Sequence, residues 1–505
     1  MNTKGRLGLL VGVLKQLARE EIRHRRDARG EPGAETEPRE QWRPAAIRQA
    51  FEDLGPFYTK VGQLLSTRPD LVPEPVRLEL GKLHDQVSPT PFEVFEPVLA
   101  AELGSGWRHR FHDVDTSRPL GAASLAQVYR VTLRDRTPAV IKVQRPGIQD
   151  LVVTDMKILR RAVRIASRLA PKYAEVLDFD TMLRMLFEAM KPELDFTLEA
   201  ANMDRARPLA RRFPTLEVPE VIHATPRLLV QSLAPGQSIR DVKHGDFTAE
   251  DRLAIGRDLL AWAMRGYFVD RTFHGDPHPG NIFVHPGGPA TIIDWGMVGH
   301  FDRHLSLALL QTIMGVVCND APAAARGWQE MGRCTDWANP RAFAGDLADL
   351  IPRVRNASLA ELNFGVTLTS VLSQATKHGI ATSPMLPVLA KSFANIEGSV
   401  RYLAPELTML DVFSDQMGTI MAELIKESFS FANLSQSIVD TMLCTPVMDE
   451  ARTIVRDLAS HNLGVHVNTT PLGGTGSQRA TQIMSVAAVA ALWANARQLK
   501  RAAER

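Results

Sequence analysis

The spacing of apolar residues divides the chain into stretches of different period. Residues 45–115 carry apolar side chains at helical spacing, interrupted at prolines: "PAAIRQAFEDLGPFYTKVGQLLSTR", "PEPVRLELGKLHDQV" and "PFEVFEPVLAAEL". Beyond residue 123 the period shortens. "SLAQVYRVTL" (124–133) and "PAVIKVQRP" (138–146) are short β-branched and apolar runs bounded by Gly, Pro and charge, and they predict the strands of a hairpin. Helical spacing returns in "DLVVTDMKILRRAVRIASRLA" (150–170), and "TLEVPEVIHATPRLLVQSLAPGQSI" (215–239) predicts further strands with "APGQ" as a hinge. From about residue 249 the pattern is mostly helical: "AEDRLAIGRDLLAWAMRGYFVD" predicts one long amphipathic helix, and residues 303–460 a series of helices. There is no internal repeat. The order is a helical extension, a small strand-rich lobe, a hinge and a large helical lobe. This is an α+β chain with a cleft between two lobes, a common place for ligands.

The two ends read differently. "EPGAETEPREQWRP" (31–44) and "NTTPLGGTGSQ" (468–478) have the composition of linkers. The expected divisions are therefore 1–44 (N-terminal helix and linker), 45–115 (helical extension), 116–235 (strand-rich lobe), 236–467 (helical lobe) and 468–505 (linker and C-terminal apolar helix). "RLGLLVGVL" (6–14) follows a basic start without a small-residue cleavage site, which argues against a secretory signal. It reads either as an amphipathic N-terminal helix or as a membrane-surface anchor. "IMSVAAVAALWANA" (483–496) falls short of the roughly 20 apolar residues a bilayer crossing needs, and reads as a packed or interfacial helix.

Bulk composition narrows the classes. The 505 residues are 45% hydrophobic and 23% charged, as in ordinary globular proteins, and the net charge of +2 gives no argument for a nucleic-acid partner. Cys318, Cys334 and Cys444 lie far apart with no CxxC pair, which speaks against a zinc site or disulfide scaffold and suits a reducing cytoplasm. The expected location is cytoplasmic, with peripheral contact at the inner face of a membrane left open.

The chemistry concentrates in "FHGDPHPGNIFV" (273–284) and the "IIDWG" that follows. Asp276 is placed to orient or deprotonate an acceptor hydroxyl. Asn281, five residues on, offers an amide oxygen to a magnesium ion, and Asp294 a hard carboxylate ligand. Gly296 permits the turn. A kinase catalytic loop has the same Asp-x-x-x-x-Asn spacing and the same downstream Asp-x-Gly. "KHGDFTAED" (243–251) shares the His-Gly-Asp tripeptide without the Asn or the Asp-x-Gly, and reads as an exposed loop before a helix.

Other residues fit around that loop. Lys142 on "AVIKV" matches the strand lysine that pairs with nucleotide phosphates and a helix glutamate. The small-residue loop Gly121, Ala122, Ala123 and Ser124 precedes it and could cover a triphosphate, although it is not GxGxxG. "KPELDFTLEAAN" (191–202), taken as one helix, points Glu193 and Glu199 in different directions. On that reading Glu199 pairs with Lys142, while Glu193 and Asp195 face another cation, for which Lys60 in "KVGQ" is a candidate.

With these motifs in view, the chain resembles the UbiB (AarF-like) atypical kinase family. The resemblance rests on "KVGQLLSTRPDLVP", "PLGAASLAQVYR", "VIKVQRPG", "ELDFTLEAAN", "HGDPHPGNIFV", "IIDWGMVG" and, more weakly, "IEGSVRYLAPEL", spanning about residues 45–410. It implies a bilobal protein-kinase-like fold with the helical extension laid across the active site, where a protein substrate would dock. It implies ATP and Mg2+ as cofactors. Lys60 and Gln63 would meet Glu193 and Asp195, and Lys142 would pair with Glu199 and reach the α/β-phosphates. Gly121, Ala122, Ala123 and Ser124 would cap the nucleotide, Asp276 would be the catalytic aspartate, and Asn281 and Asp294 the metal ligands. It also implies isoprenoid quinone or lipid intermediates, a membrane surface and a lipid-biosynthesis complex as partners, with ATPase activity more prominent than phosphorylation of other proteins. Trp295 stands where the family usually has Phe, and Gly121 where it commonly has Ala.

Two other classes remain open at the level of sequence. A small-molecule phosphotransferase of the aminoglycoside or choline kinase type shares the loop and the Asp-Trp-Gly, but not the "KVGQ" helix or the "GAAS" loop. A nucleotide-sensing scaffold of a lipid-biosynthesis complex would bind without turnover.

Overall fold

The computed structural model describes residues 5–13, 15–16, 19, 39–66, 72–83, 88–169, 179–356, 364–383, 385–407 and 409–428. The expected linkers at 31–38 and 468–478, the apolar segment 483–496 and any helix between 429 and 460 lie outside them.

Helices α1 (Arg39–Leu54), α2 (Pro56–Ser66) and α3 (Glu74–Leu80) open the extension. Pro56 starts α2 directly after Gly55, a position where a missing N–H costs nothing. α2 buries Phe57, Tyr58 and Val61 against Leu54, Val152, Leu186 and Met190. Gly62 of "KVGQ" is a packing glycine: a Cβ there would lie 2.3 Å from Leu83 Cδ1. The N-terminal helical stretch, residues 5–13, joins the same cluster through Val13. Its buried Arg6 donates through Nε to Asp155 Oδ1 at 2.7 Å and through Nη2 to the Leu54 carbonyl at 2.7 Å.

α4 (Glu96–Leu103) leads into the small lobe, β1 (Phe111–Val114), β2 (Gly121–Ala122), β3 (Ala126–Leu133) and β4 (Pro138–Gln144). There follow α5 (Ile148–Leu169), α6 (Phe179–Leu194), α7 (Phe196–Ala210), β5 (Leu216–Glu217), β6 (Val221–Thr225) and β7 (Leu228–Ser232). The lobe is an antiparallel sheet in the order β1-β3-β4-β7-β6, with β2 added to β3. Tyr129, Ile141, Val143 and Val230 pack with Leu99 of α4 and with Phe95, which precedes that helix. Strand alternation therefore turns Lys142, between Ile141 and Val143, to the opposite face.

Two local expectations change. Gly121 and Ala122 form a strand rather than a loop, since their registers to Val128 and Gln127 continue the β3 ladder. "KPELDFTLEAAN" is two helices rather than one. Asp195 lies in extended backbone (φ −144, ψ 96) between α6 and α7, and its carboxylate accepts the Thr197 N–H at 3.0 Å as an N-cap.

The chain crosses to the large lobe at Gly236, where φ is +84. A Cβ there would stand 2.1 Å from the Val284 carbonyl oxygen, so both the backbone conformation and the space demand glycine. Gly236→Ala is expected to destabilise the fold by about 2–3 kcal/mol, read as a lower midpoint in urea unfolding. An unchanged midpoint would refute the hinge geometry.

β8 (Gln237–Ser238), α8 (Ala249–Phe268), β9 (Thr272–His274), β10 (Ile282–Val284), β11 (Ala290–Ile292) and β12 (Val298–His300) follow. One small sheet runs β5-β11-β10-β8, and β9 pairs with β12. The remaining elements are α9 (Arg303–Val317), α10 (Ala321–Glu330), β13 (Gly332–Cys334), α11 (Pro340–Asn356), α12 (Phe364–Lys377), β14 (Ile380–Thr382), α13 (Met385–Leu403) and α14 (Met409–Ser428). The β13–β14 pair interrupts what the sequence pattern reads as helices alone. The lobe's core gathers Leu259, Tyr267, Leu309, Trp328 and Phe393.

Candidate active site

The cleft is built from elements of both lobes and the extension. β4 presents Lys142, whose Nζ lies 2.8 and 3.0 Å from the two carboxylate oxygens of Glu199, in the first turn of α7. The same Nζ lies 3.4 Å from Asp294 Oδ1. Glu199 is 2% exposed, and burial pushes its pKa up to about 7 against the pull of Lys142. Burial would lower the pKa of Lys142, but the Asp294, Glu199 and Glu193 carboxylates outweigh it and keep the ammonium charged.

Asp294 follows β11 in the left-handed region, at φ +59. Trp295 anchors the turn: its indole N–H donates to the Ile292 carbonyl at 2.9 Å, its carbonyl accepts from Asn202 Nδ2 at 2.9 Å, and its ring meets those of Trp262 and His274 edge-on. The larger ring thus fills the lobe interior and still leaves Asp294 turned to Lys142. Lys142 holds the Asp294 carboxyl well below the usual carboxylate range against its desolvation, with Lys60 adding to the effect.

The catalytic-type loop hangs between β9 and β10. His274 is buried and held neutral by desolvation; its Nε2–H donates to the Ile293 carbonyl at 3.1 Å and its Nδ1 accepts the Asp276 N–H at 3.1 Å. Asn281 Nδ2 donates to the Asp276 carbonyl at 3.1 Å, which leaves its amide oxygen as the free acceptor of that side chain. The tripeptide His244–Asp246 forms only a short turn ahead of α8.

Sequence reasoning placed α13 among the helices of the large lobe but missed its part in the site. Lys391 Nζ donates to Asp276 Oδ2 at 2.7 Å and Asn395 Nδ2 to Oδ1 at 2.5 Å, while Ser392 and Ser399 donate to the carbonyls of His274 and Pro277 at 2.7 and 2.9 Å. Desolvation favours the neutral acid at Asp276, but Lys391 and then His278 override it and hold the pKa below the ordinary carboxylate value. The signal was present: positions 391, 395 and 399 form a polar stripe beside the buried apolar face of Leu386, Leu389, Phe393, Ile396 and Val400.

The extension borders the cleft. Lys60 on α2 pairs with Glu193 at 3.0 Å. Gln63 donates to the Leu83 carbonyl at 3.1 Å and the Asp195 carboxylate caps α7, so of the expected meeting of Lys60 and Gln63 with Glu193 and Asp195 the Lys60–Glu193 pair is the ion pair seen. A cavity of about 60 Å³ remains between the extension and the loop, lined by Lys60, Gln63, Met190, Glu193, Asp276 and Lys391 among others. On the far side of Lys142, Ala123 bonds to Ala126 across the β2–β3 turn and its carbonyl accepts from Arg145. Ser124 is 5% exposed, with a hydroxyl that has no hydrogen-bond partner among the described residues.

A strand lysine on a helix glutamate, a hinge, and an Asp-x-x-x-x-Asn loop ahead of Asp-x-Gly define the protein-kinase-like class. Comparison with known proteins narrows it. The ABC1 atypical kinase-like domain matches residues 82–326, and the UbiB helical domain matches residues 347–408. A probable protein kinase UbiB of Cronobacter sakazakii is 30% identical over 370 residues, covering 72% of this chain and 68% of that protein. A protein of Clostridium pasteurianum, named only for its place in the hydrogenase 1 5' region, is 30% identical over 394 residues, covering 77% of this chain and 73% of the relative. A Mycobacterium tuberculosis protein solved with erythromycin is 25% identical, covers 71% of this chain and 95% of that one, and superposes with a TM-score of 0.47. The chain belongs to the UbiB family of ABC1 atypical kinase-like proteins.

Proposed function

We propose that this chain binds Mg-ATP in the cleft and transfers the γ-phosphoryl group, to water more readily than to a protein, in support of isoprenoid quinone or membrane-lipid metabolism. The observation that carries the reading is the Lys142–Glu199–Asp294 cluster facing Asp276 and Asn281 across one cleft. Lys142 is positioned for the α/β-phosphates.

Asn281 and Asp294 suit Mg2+ as hard oxygen donors. Asp294 is kept ionised, and the Asn281 amide nitrogen is already engaged, leaving its oxygen. Mg2+ commonly takes one or two protein carboxylates and completes its shell with phosphates and water. Bound there, the ion would neutralise charge on the β- and γ-phosphate oxygens.

The extension argues against a protein acceptor. α2 lies over Asp276, and the 60 Å³ space has room for a few waters at roughly 10–15 Å³ each, not for a docked peptide. The quinone or lipid role and a lipid-biosynthesis complex come from the family resemblance. Exposed Leu7, Leu9 and Val11 on the N-terminal stretch support contact with a membrane surface. Among the described residues no helix is long and apolar enough to cross a membrane.

The test is phosphate release from Mg-ATP, with and without lipid vesicles. Release above background is expected. Bound nucleotide without release under any lipid or detergent condition would favour the scaffold instead. Lys60→Ala removes a single ion pair whose side chains are 22% and 24% exposed, worth about 1 kcal/mol, so the fold should survive while the cleft opens. Autophosphorylation or a changed nucleotide affinity is expected, and wild-type behaviour in both would show that α2 is not a gate.

A further inference from the structure

We propose that Lys391, from the UbiB helical domain, is a catalytic residue of the cleft, and that Asn395 is the positioning residue that sets Asp276 for it. The inference rests on the reading of the cleft as a phosphoryl-transfer site, and adds to it a group from outside the kinase-like core.

Three observations carry it. The loop from Asp276 to Asn281 reads Asp-Pro-His-Pro-Gly-Asn, so it contains no lysine or arginine. α13 delivers one to the same spot: Lys391 Nζ is 2.7 Å from Asp276 Oδ2 and lines the 60 Å³ cavity in which an acceptor would sit. The cavity also sets the ammonium apart from Lys142, which Glu199 and Asp294 hold at the nucleotide end. The cleft thus has one lysine for the nucleotide phosphates and a second for the acceptor side.

The capacity of each group fits this arrangement. An ammonium has three N–H donors, and Asp276 takes one, leaving two for the acceptor oxygen and an oxygen of the transferring phosphoryl. A carboxylate has about four acceptor sites, so Lys391 and Asn395 together leave room for the acceptor hydroxyl. In the transfer, the acceptor oxygen bonds to the γ-phosphorus while the bond from that phosphorus to the β–γ bridging oxygen breaks. The electron pair leaves with the nucleoside diphosphate, and the acceptor proton passes to Asp276. Lys391 stabilises negative charge on the phosphoryl oxygens throughout, as a fixed donor in a site that α2 shields from bulk water. Ser392 and Ser399 hold the loop's backbone from the same helix, so the lysine and the aspartate move as one unit.

The experiment compares wild type with Lys391→Met, Lys391→Arg and Asn395→Ala in the full chain. It measures Mg-ATP hydrolysis, nucleotide affinity by calorimetry, and thermal midpoint. Lys391→Met is expected to lower kcat roughly 10²–10³-fold, the scale of losing one fixed donor, with nucleotide affinity within about twofold of wild type. Lys391→Arg is expected to recover at least about a tenth of the rate, since the charge returns in a different shape. Asn395→Ala is expected to lower kcat without weakening nucleotide binding. Lys391 is part-exposed, so the Met variant should fold, and the midpoint checks this. An active wild type with an equally active or faster Lys391→Met overturns the proposal alone; a faster variant would mean that Lys391 restrains Asp276. A wild type that neither binds nor hydrolyses Mg-ATP overturns the underlying reading as well.

Discussion

Asp294→Asn is expected to lower Mg-ATP hydrolysis roughly a thousandfold, or about 4 kcal/mol of lost transition-state stabilisation, and to lower the stability of the protein only modestly. The two effects have separate causes. The rate falls because a neutral amide is a poor partner for Mg2+ next to Asn281. The neutral amide forfeits the attraction by which Lys142 holds the Asp294 carboxyl ionised in the folded protein, but the loss is small because the Asp294 side chain is 48% exposed and sits at φ +59, a conformation that asparagine adopts as readily as aspartate. Lys142 also keeps Glu199 as its partner at 2.8 Å. Phosphate release and thermal melting on one preparation decide the matter. A variant that hydrolyses at the wild-type rate would remove Asp294 from the metal site, and one that melts much lower would make it a structural residue.

Lys142→Met has the largest expected effect on stability. The methionine keeps an unbranched side chain of similar length and removes only the ammonium, which lies 5.1 Å from the centroid of the Phe196 ring, so the change isolates the charge. Glu199 is then a buried carboxylate with no cation, an arrangement that costs about 3–5 kcal/mol. Burial already raises Glu199 from 4.5 to about 7 with Lys142 in place, and removing Lys142 raises it further. Between the unfolded and folded values the native state holds a proton that the unfolded chain lacks, so stability must fall as pH rises through that window. The variant should therefore be nearly as stable as wild type at pH 5 and much weaker at pH 8. Adding Glu199→Gln should restore most of the loss at pH 8. Urea unfolding of the three proteins at both pH values tests this, and a pH-independent deficit would mean that Glu199 is not the group left uncompensated.

The sequence made some of this legible because certain constraints are local. Asp276, Asn281 and Asp294 fall at a spacing set by one loop and one strand pair, so their proximity follows from the chain itself. Lys142 and Glu199 are 57 residues apart, yet strand alternation and the first turn of a helix suffice to bring them together. The split of "KPELDFTLEAAN" was missed because helical periodicity hides an Asp that caps from the middle of an apolar pattern, with Pro192 just before it. Gly121 and Ala122 were read as a loop because their strand pairing depends on β3 rather than on their own propensity. Lys391 and Asn395 carry no local motif. Their partner is fixed only by the packing of α13 on the loop, and long-range packing leaves no short-range pattern beyond the polar stripe.

That packing also sets an order of assembly. The groups that tie down residues 274–277 lie 115 to 122 positions later in the chain. During synthesis the carbonyls of His274 and Pro277 and the Asp276 carboxylate must wait in water until the ribosome has released Ser399. A nascent chain halted before residue 385 would carry the small lobe and the loop but not its fastening, which makes that segment an early target for proteases and the catalytic pocket among the last parts of the protein to mature.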